Sequence, residues 1–269
     1  MTLDLFAVRS MLFLPASNAR AVARARQAGA DLVVLDLEDA VKPEDKALAR
    51  AAAVDAVREP WPMPVAIRIN GIASDWFNAD VAAVAASDAD LVVLPRADSA
   101  DSIRATWQGV QRGILAMIET AAGVLAAPGI AKEVAALIAG TNDLSADLRL
   151  PPDAGRGPLQ MALQSIVLAG RAAGIAVFDG VFNGLDDAEG FLAQAEEGYW
   201  LGFDGKSLIH PDQVEPCHRA FAPSQAEIER AGRLLAAATG GAERFEDRMI
   251  ERMHVEAAER LLSRGSTRD

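Results

Sequence analysis

Glu119 and Asp143 are the two carboxylates of this sequence best placed to hold a metal ion. Glu119 ends the apolar run Gly113–Ile118, and Asp143 sits in the loop after Val134–Ala139, with no thiol or imidazole nearby in sequence. Two carboxylates, with substrate and water completing an all-oxygen shell, suit Mg2+ better than Zn2+. Arg68, near the end of VAIRIN (Val65–Asn70), is the natural anion clamp, because a guanidinium can hold a carboxylate by two parallel hydrogen bonds. Asn70 beside it is a weaker, orienting candidate. Polar residues recur at equivalent places elsewhere: Asp36, Glu38 and Asp39, then Arg96, Asn142, Asp179, Asp204 and Lys206. Helix capping or a solvated ion pair explains any one of them, but not their recurrence after seven apolar runs of eight. His210, His218 and His254 offer no zinc spacing, and the glycines form neither a P-loop nor a dinucleotide-binding fingerprint.

These residues need a scaffold that brings the ends of many strands together. Short apolar runs alternate with Ala-rich helical stretches along most of the chain. Eight runs are expected as strands: Val8–Leu14, Asp31–Leu37, Val65–Asn70, Ala89–Leu94, Gly113–Ile118, Val134–Ala139, Gly174–Phe178 and Tyr199–Phe203. Continuous apolar strands indicate burial on both faces, as in a parallel sheet. Eight such units in about 205 residues match a small (β/α)8 TIM barrel, with an open doubly wound sheet as the rival. In a barrel the C-terminal strand ends share one face, which is where the polar residues fall. The expected division is a catalytic barrel over residues 1–208 and a C-terminal helical extension over 209–269. That extension is read as two helices, Ser224–Ala238 and Asp247–Arg264, joined by a Gly-bearing turn.

Composition narrows the function. A net charge of −12 argues against a nucleic-acid partner, which requires clustered Lys and Arg. No apolar run approaches the roughly 20 residues of a membrane span. One cysteine, Cys217, permits no internal disulfide, so a cytoplasmic location is expected.

Seven segments in order resemble the citrate lyase beta-subunit-like proteins of the HpcH/HpaI aldolase superfamily. They are RSMLFLPASN (Arg9–Asn18), LDLEDAVKPEDKALAR (Leu35–Arg50), IRIN (Ile67–Asn70), LPRADS (Leu94–Ser99), IETAAG (Ile118–Gly123), GTNDLSADL (Gly140–Leu148) and GKSLIHPDQ (Gly205–Gln213). The resemblance implies a barrel, commonly trimeric, whose C-terminal tail reaches over a neighbouring subunit. It implies Mg2+ on Glu119 and Asp143, Arg68 on the substrate carboxylate, and Glu38 and Asp39 as the acidic pair beside the metal. It also implies Arg9 and Lys46 near the thioester carrier. The substrates it implies are hydroxyacyl thioesters such as citryl, malyl or citramalyl derivatives, on coenzyme A or an acyl carrier protein, which yield a 2-oxo acid.

Three positions depart from the family pattern. Arg96 replaces a usual Lys, Ala162–Ser165 replaces a stretch that often carries Arg, and Glu251 stands where the tail usually has Asp. Glu251 is therefore the expected acid supplied to an adjacent site, one methylene longer than in the family. The reaction expected is Mg2+-dependent cleavage, or condensation, of a carbon–carbon bond. The alternatives are a metal-dependent 2-oxo acid aldolase and a non-catalytic acyl-thioester-binding barrel. The aldolase branch uses a histidine base where this chain has Asp39.

Overall fold

The computed structural model describes residues 3–239 and 241–266. Eight parallel strands close into a barrel in chain order, with helices between them. The first half comprises β1 (Ser10–Pro15), α1 (Ala19–Ala25), β2 (Leu32–Asp36), α2 (Lys46–Arg58), β3 (Val65–Arg68), α3 (Phe77–Ala85), β4 (Leu91–Leu94) and α4 (Ala100–Val110). The second half comprises β5 (Gly113–Ile118), α5 (Ala121–Ile130), β6 (Ala136–Ala139), α6 (Thr141–Asp147), α7 (Gln160–Ala173), β7 (Ala176–Asp179), α8 (Ala188–Leu201) and β8 (Gly205–Leu208). β8 pairs with β1, Ser10 opposite Lys206, which leaves no barrel edge. A 3-10 turn (Pro211–Gln213) and α9 (Val214–Ala220) complete this compact unit, which runs to Ala220.

Because the side-chain period of a strand is two, each strand divides its apolar residues between two buried faces. Met11 and Phe13, Leu32 and Val34, Leu115 and Met117, and Ala176 and Phe178 fill the barrel interior as one cluster. The alternate residues, such as Val33, Leu35, Val92 and Leu137, are equally buried. The same parity carries Asp36, Arg68 and Glu119 to the interior as each strand ends.

One strand lies elsewhere than its apolarity suggests. Tyr199–Phe203 is not β8: it covers the last turn of α8 and its exit, where Gly202 takes φ 95°. The true strand, GKSL, has few apolar residues. Its Lys206 is wholly buried because Asp179 on β7 takes its charge at 3.0 Å.

The second compact unit begins at Phe221. It contains α10 (Gln225–Ala237), opened by a Ser224–Glu227 capping box, then β9 (Glu243–Phe245), β10 (Arg248–Ile250) and α11 (Arg252–Ser266). The expected helix over Asp247–Arg264 thus begins five residues late. Its first part is a β-hairpin, turned at Glu246 (φ 56°), that places Phe245 and Ile250 on one buried face. Met249 and Met253 are exposed, while Ile250 is buried. Among the described residues no helix is long and apolar enough to cross a membrane.

Candidate active site

The strand ends enclose a cavity of about 370 Å³, lined by Asp36, Asp39, Arg68, Glu119, Asn142 and Asp143 among others. Phe13, Met117, Val181 and Ile209 supply apolar wall.

Asp36 and Arg68 are direct cross-strand partners, and their side chains form a buried two-point ion pair. Arg68 Nε donates to Asp36 Oδ1 at 2.6 Å and Nη2 to Oδ2 at 2.5 Å. The guanidinium also lies over the Phe13 ring, 5.6 Å from its centroid. The fork assigned to a substrate carboxylate is therefore taken by Asp36, leaving Nη1 to face other anions. Nη1 is 2.8 Å from Glu38 Oε2 and 3.9 Å from Asp39 Oδ2. The Glu38 contact is an ion pair but is not aligned as a hydrogen bond, so Oε2 is buried without a hydrogen-bond partner.

Glu119 extends from β5 into the cavity mouth and is buried. Its Oε1 accepts the Arg96 backbone N–H at 2.6 Å, from a residue held at φ 48° just after β4. Gly140 follows β6 directly opposite: a Cβ there would collide with the Glu119 side chain, so only glycine permits this approach. Asp143 stands in the first turn of α6, half-buried.

The carboxyls are held in an environment that disfavours their charge. Burial pushes Glu119 up to about 8; Glu38 and Asp143 add to the rise, against the Arg96 N–H. Burial likewise raises Glu38 to about 7, with Asp39 and Asp36 adding and Arg68 opposing. Asp143 is raised by burial and by Asp39. Acids that repel one another around a cavity become compatible once a divalent cation lies between them.

A profile of the HpcH/HpaI aldolase/citrate lyase family matches residues 9–211. The chain belongs to this family. The (3S)-malyl-CoA thioesterase of Cereibacter sphaeroides (strain ATCC 17025) is 38% identical over 95% of this chain and 94% of its own length. Citrate lyase subunit beta of Escherichia coli K12 is 33% identical over 95% of this chain and 92% of its own. Among solved structures, protein CitE from Mycobacterium tuberculosis, in complex with magnesium, acetoacetate and coenzyme A, aligns with a TM-score of 0.87 at 32% identity. That alignment covers 97% of this chain and 100% of CitE.

In this family member, Arg68, Asp39, Glu119 and Asp143 all line the cavity, and Glu38 meets Arg68 at its edge. The structure does not bring the expected thioester contacts there. Arg9 precedes β1 at the opposite, N-terminal end of the strands, where it is spent on Asp31 through its backbone N–H, Nε and Nη2. Lys46 is buried, and its ammonium donates to Leu37 O, Glu38 O and Asn70 Oδ1. It ties down the loop carrying Glu38. Asn70 is equally committed, bonding Lys46, Leu37 O and Asp80. Asp179 and Lys206 face away from the cavity, into a buried network with Arg156 and Gln194. Glu251 lies in the second unit, exposed between β10 and α11, with its N–H donated to His254 Nδ1.

Sequence reasoning underrated Asp36, although its parity within β2 matched that of Arg68 in β3. It missed Ser207 and Asn183, since the first depends on the true position of β8 and the second on a loop.

The donor set fits a divalent cation held loosely by the protein. Glu119 and Asp143 offer oxygen ligands, and Glu38 offers a buried oxygen that lacks a hydrogen bond. Among the described residues no three Asp, Glu, His or Cys side chains converge as a ligand cluster. Two carboxylates with an otherwise open shell are what a small hard cation that retains water accepts.

Proposed function

We propose that this protein is a Mg2+-dependent carbon–carbon lyase for a hydroxyacyl thioester of the malyl, citramalyl or citryl type. The observation that carries the reading is the grouping of Glu119, Asp143 and Glu38 with Arg68 around one cavity. The CitE structure with magnesium, acetoacetate and coenzyme A supports it at 32% identity.

Glu119 and Asp143 would hold Mg2+, which when bound withdraws electron density from the substrate's carboxylate and adjacent hydroxyl and so makes that hydroxyl more acidic. Arg68 Nη1 faces the acid end of the substrate, while Asp36 fixes the guanidinium's orientation. Glu38 Oε2, buried without a hydrogen bond beside Arg68 Nη1, is the proposed acceptor of the hydroxyl proton. Phe13, Met117 and Ile209 keep water from the departing carbanion. The bond between the hydroxyl-bearing carbon and its neighbour breaks, and its electron pair passes to the thioester as an enolate. Glu251 of an adjacent subunit in a trimer is the proposed acid that protonates it.

Thioester hydrolysis is a second reading, favoured by the 38% identity to the malyl-CoA thioesterase. One experiment separates the two: purified protein, Mg2+ and malyl-CoA, with glyoxylate, acetyl-CoA, malate and free thiol all quantified. Glyoxylate and acetyl-CoA in equal amounts support the lyase. Malate and free thiol in equal amounts, without glyoxylate, overturn it in favour of hydrolysis.

A further inference from the structure

The cavity has two unlike walls. Arg68, Glu119 and Asp143 come from β3, β5 and the start of α6, on one side of the barrel mouth. The other side is formed by β1, β8 and the loop after β7, and is largely apolar: Phe13, Pro15, Val181 and Ile209. Among the described residues, two side chains on that wall can donate hydrogen bonds. Asn183 is already engaged, exchanging amide hydrogen bonds with Asn142 at 2.8 and 3.3 Å. Ser207 is the other. It stands on β8 opposite Met11 of β1, with the parity that faces the interior. The residue is 1% exposed, and among the described residues its Oγ has no hydrogen-bond partner. A buried hydroxyl without a partner is costly, and one kept in a native protein calls for an explanation, a catalytic role among them.

We propose that Ser207 is a further catalytic residue, donating a hydrogen bond from Oγ to the thioester carbonyl oxygen of the substrate. This rests on the lyase reading above. A ligand whose acid end lies against Arg68 extends its thioester toward the opposite wall, where Ser207 is the free side-chain donor among the described residues. When the carbon–carbon bond breaks, its electron pair forms the enolate double bond and the carbonyl electrons move onto oxygen. The hydroxyl proton goes to the base, and the enolate carbon later takes a proton. Negative charge therefore develops on the oxygen that Ser207 faces, in a pocket walled by apolar side chains. A donor already aimed at that position stabilises the transition state more than the ground state.

The test compares wild type with Ser207→Ala, Ser207→Cys and Ser207→Thr, using a turned-over hydroxyacyl-CoA and Mg2+. Removal of one such donor lowers kcat about 100- to 1000-fold, so Ala and Cys should fall by at least about 100-fold with little change in KM. Thr, which restores the hydroxyl, should recover much of the rate. Calorimetric affinity for pyruvate with Mg2+ should be unchanged, and the Tm of Ser207→Ala equal to or above wild type. Full activity of Ser207→Ala or Ser207→Cys overturns the assignment alone. So does a loss of pyruvate affinity or a lowered Tm in both, which would make the hydroxyl structural. A wild-type protein that turns over no hydroxyacyl thioester overturns the lyase reading, and this assignment with it.

Discussion

Replacing Glu119 with Gln should stabilise the metal-free protein, increasingly so as pH rises above 4.5. Folding places this carboxyl in a buried position beside Glu38 and Asp143, which raises it from 4.5 to about 8. Between those values the folded chain binds more protons than the unfolded chain, so stability falls with rising pH. At 1.36 kcal/mol per pH unit, the loss is about 3 kcal/mol by pH 7 and approaches about 5 kcal/mol above pH 8. Gln keeps the acceptor for the Arg96 N–H and cannot ionise, so it escapes this loss. For a chain of this size, each kcal/mol moves Tm by about 2–4 °C. The expected difference at pH 7 is therefore on the order of 5–10 °C, shrinking to nothing near pH 4. Calorimetric melts in chelator across pH 4–9 measure it directly. Added Mg2+ should raise the Tm of wild type at pH 8 and leave Glu119→Gln unmoved. Parallel Tm profiles for the two proteins in chelator would show that Glu119 is not held against its charge, and the argument for a cation at this position would lose its basis.

Three further outcomes follow from the same geometry. Arg68→Lys should weaken pyruvate binding at least tenfold by calorimetry and lower Tm, because a single ammonium cannot replace both the Asp36 fork and Nη1; unchanged binding would remove Arg68 from the site. Lys206→Met should destabilise the fold by about 3 kcal/mol in urea unfolding, since Asp179 would stay buried with one cation fewer. Near-wild-type stability would refute that role. Asp31 lies below the usual carboxylate range: burial raises it, but hydrogen bonds from His218 and Arg9 outweigh that effect. Its contribution is therefore complete above about pH 4 and is lost on acidification, so Asp31→Asn should destabilise at pH 7 and flatten the acid limb of stability. An unaltered acid limb would contradict the pairing.

The barrel was legible in the sequence because parallel strands buried on both faces must be apolar throughout. Seven of the eight strands announced themselves in that way, from Ser10–Pro15 to Ala176–Asp179. β8 did not, since GKSL is buried through an ion pair across strands rather than through apolarity. Likewise the β9–β10 hairpin is only three residues a side, too short for its period of two to stand out from the helical pattern around it. Residue type and position at the ends of apolar runs were enough to mark Arg68, Glu119 and Asp143 as site candidates. Their partners were a different matter. The family resemblance put Arg9 and Lys46 near the thioester carrier, yet one is spent on Asp31 and the other on two carbonyls and Asn70. A charged side chain's role depends on which groups lie within about 3 Å of its tip, and for a long flexible residue that is set by packing between elements distant in sequence. The strand pattern, set by local sequence, decided which face the chemistry occupies. Only the closed barrel decided which arginine turns a nitrogen toward the carboxylates of the cavity, which carboxylate oxygen lacks a hydrogen bond, and which buried hydroxyl lines the cavity without a partner among the described residues.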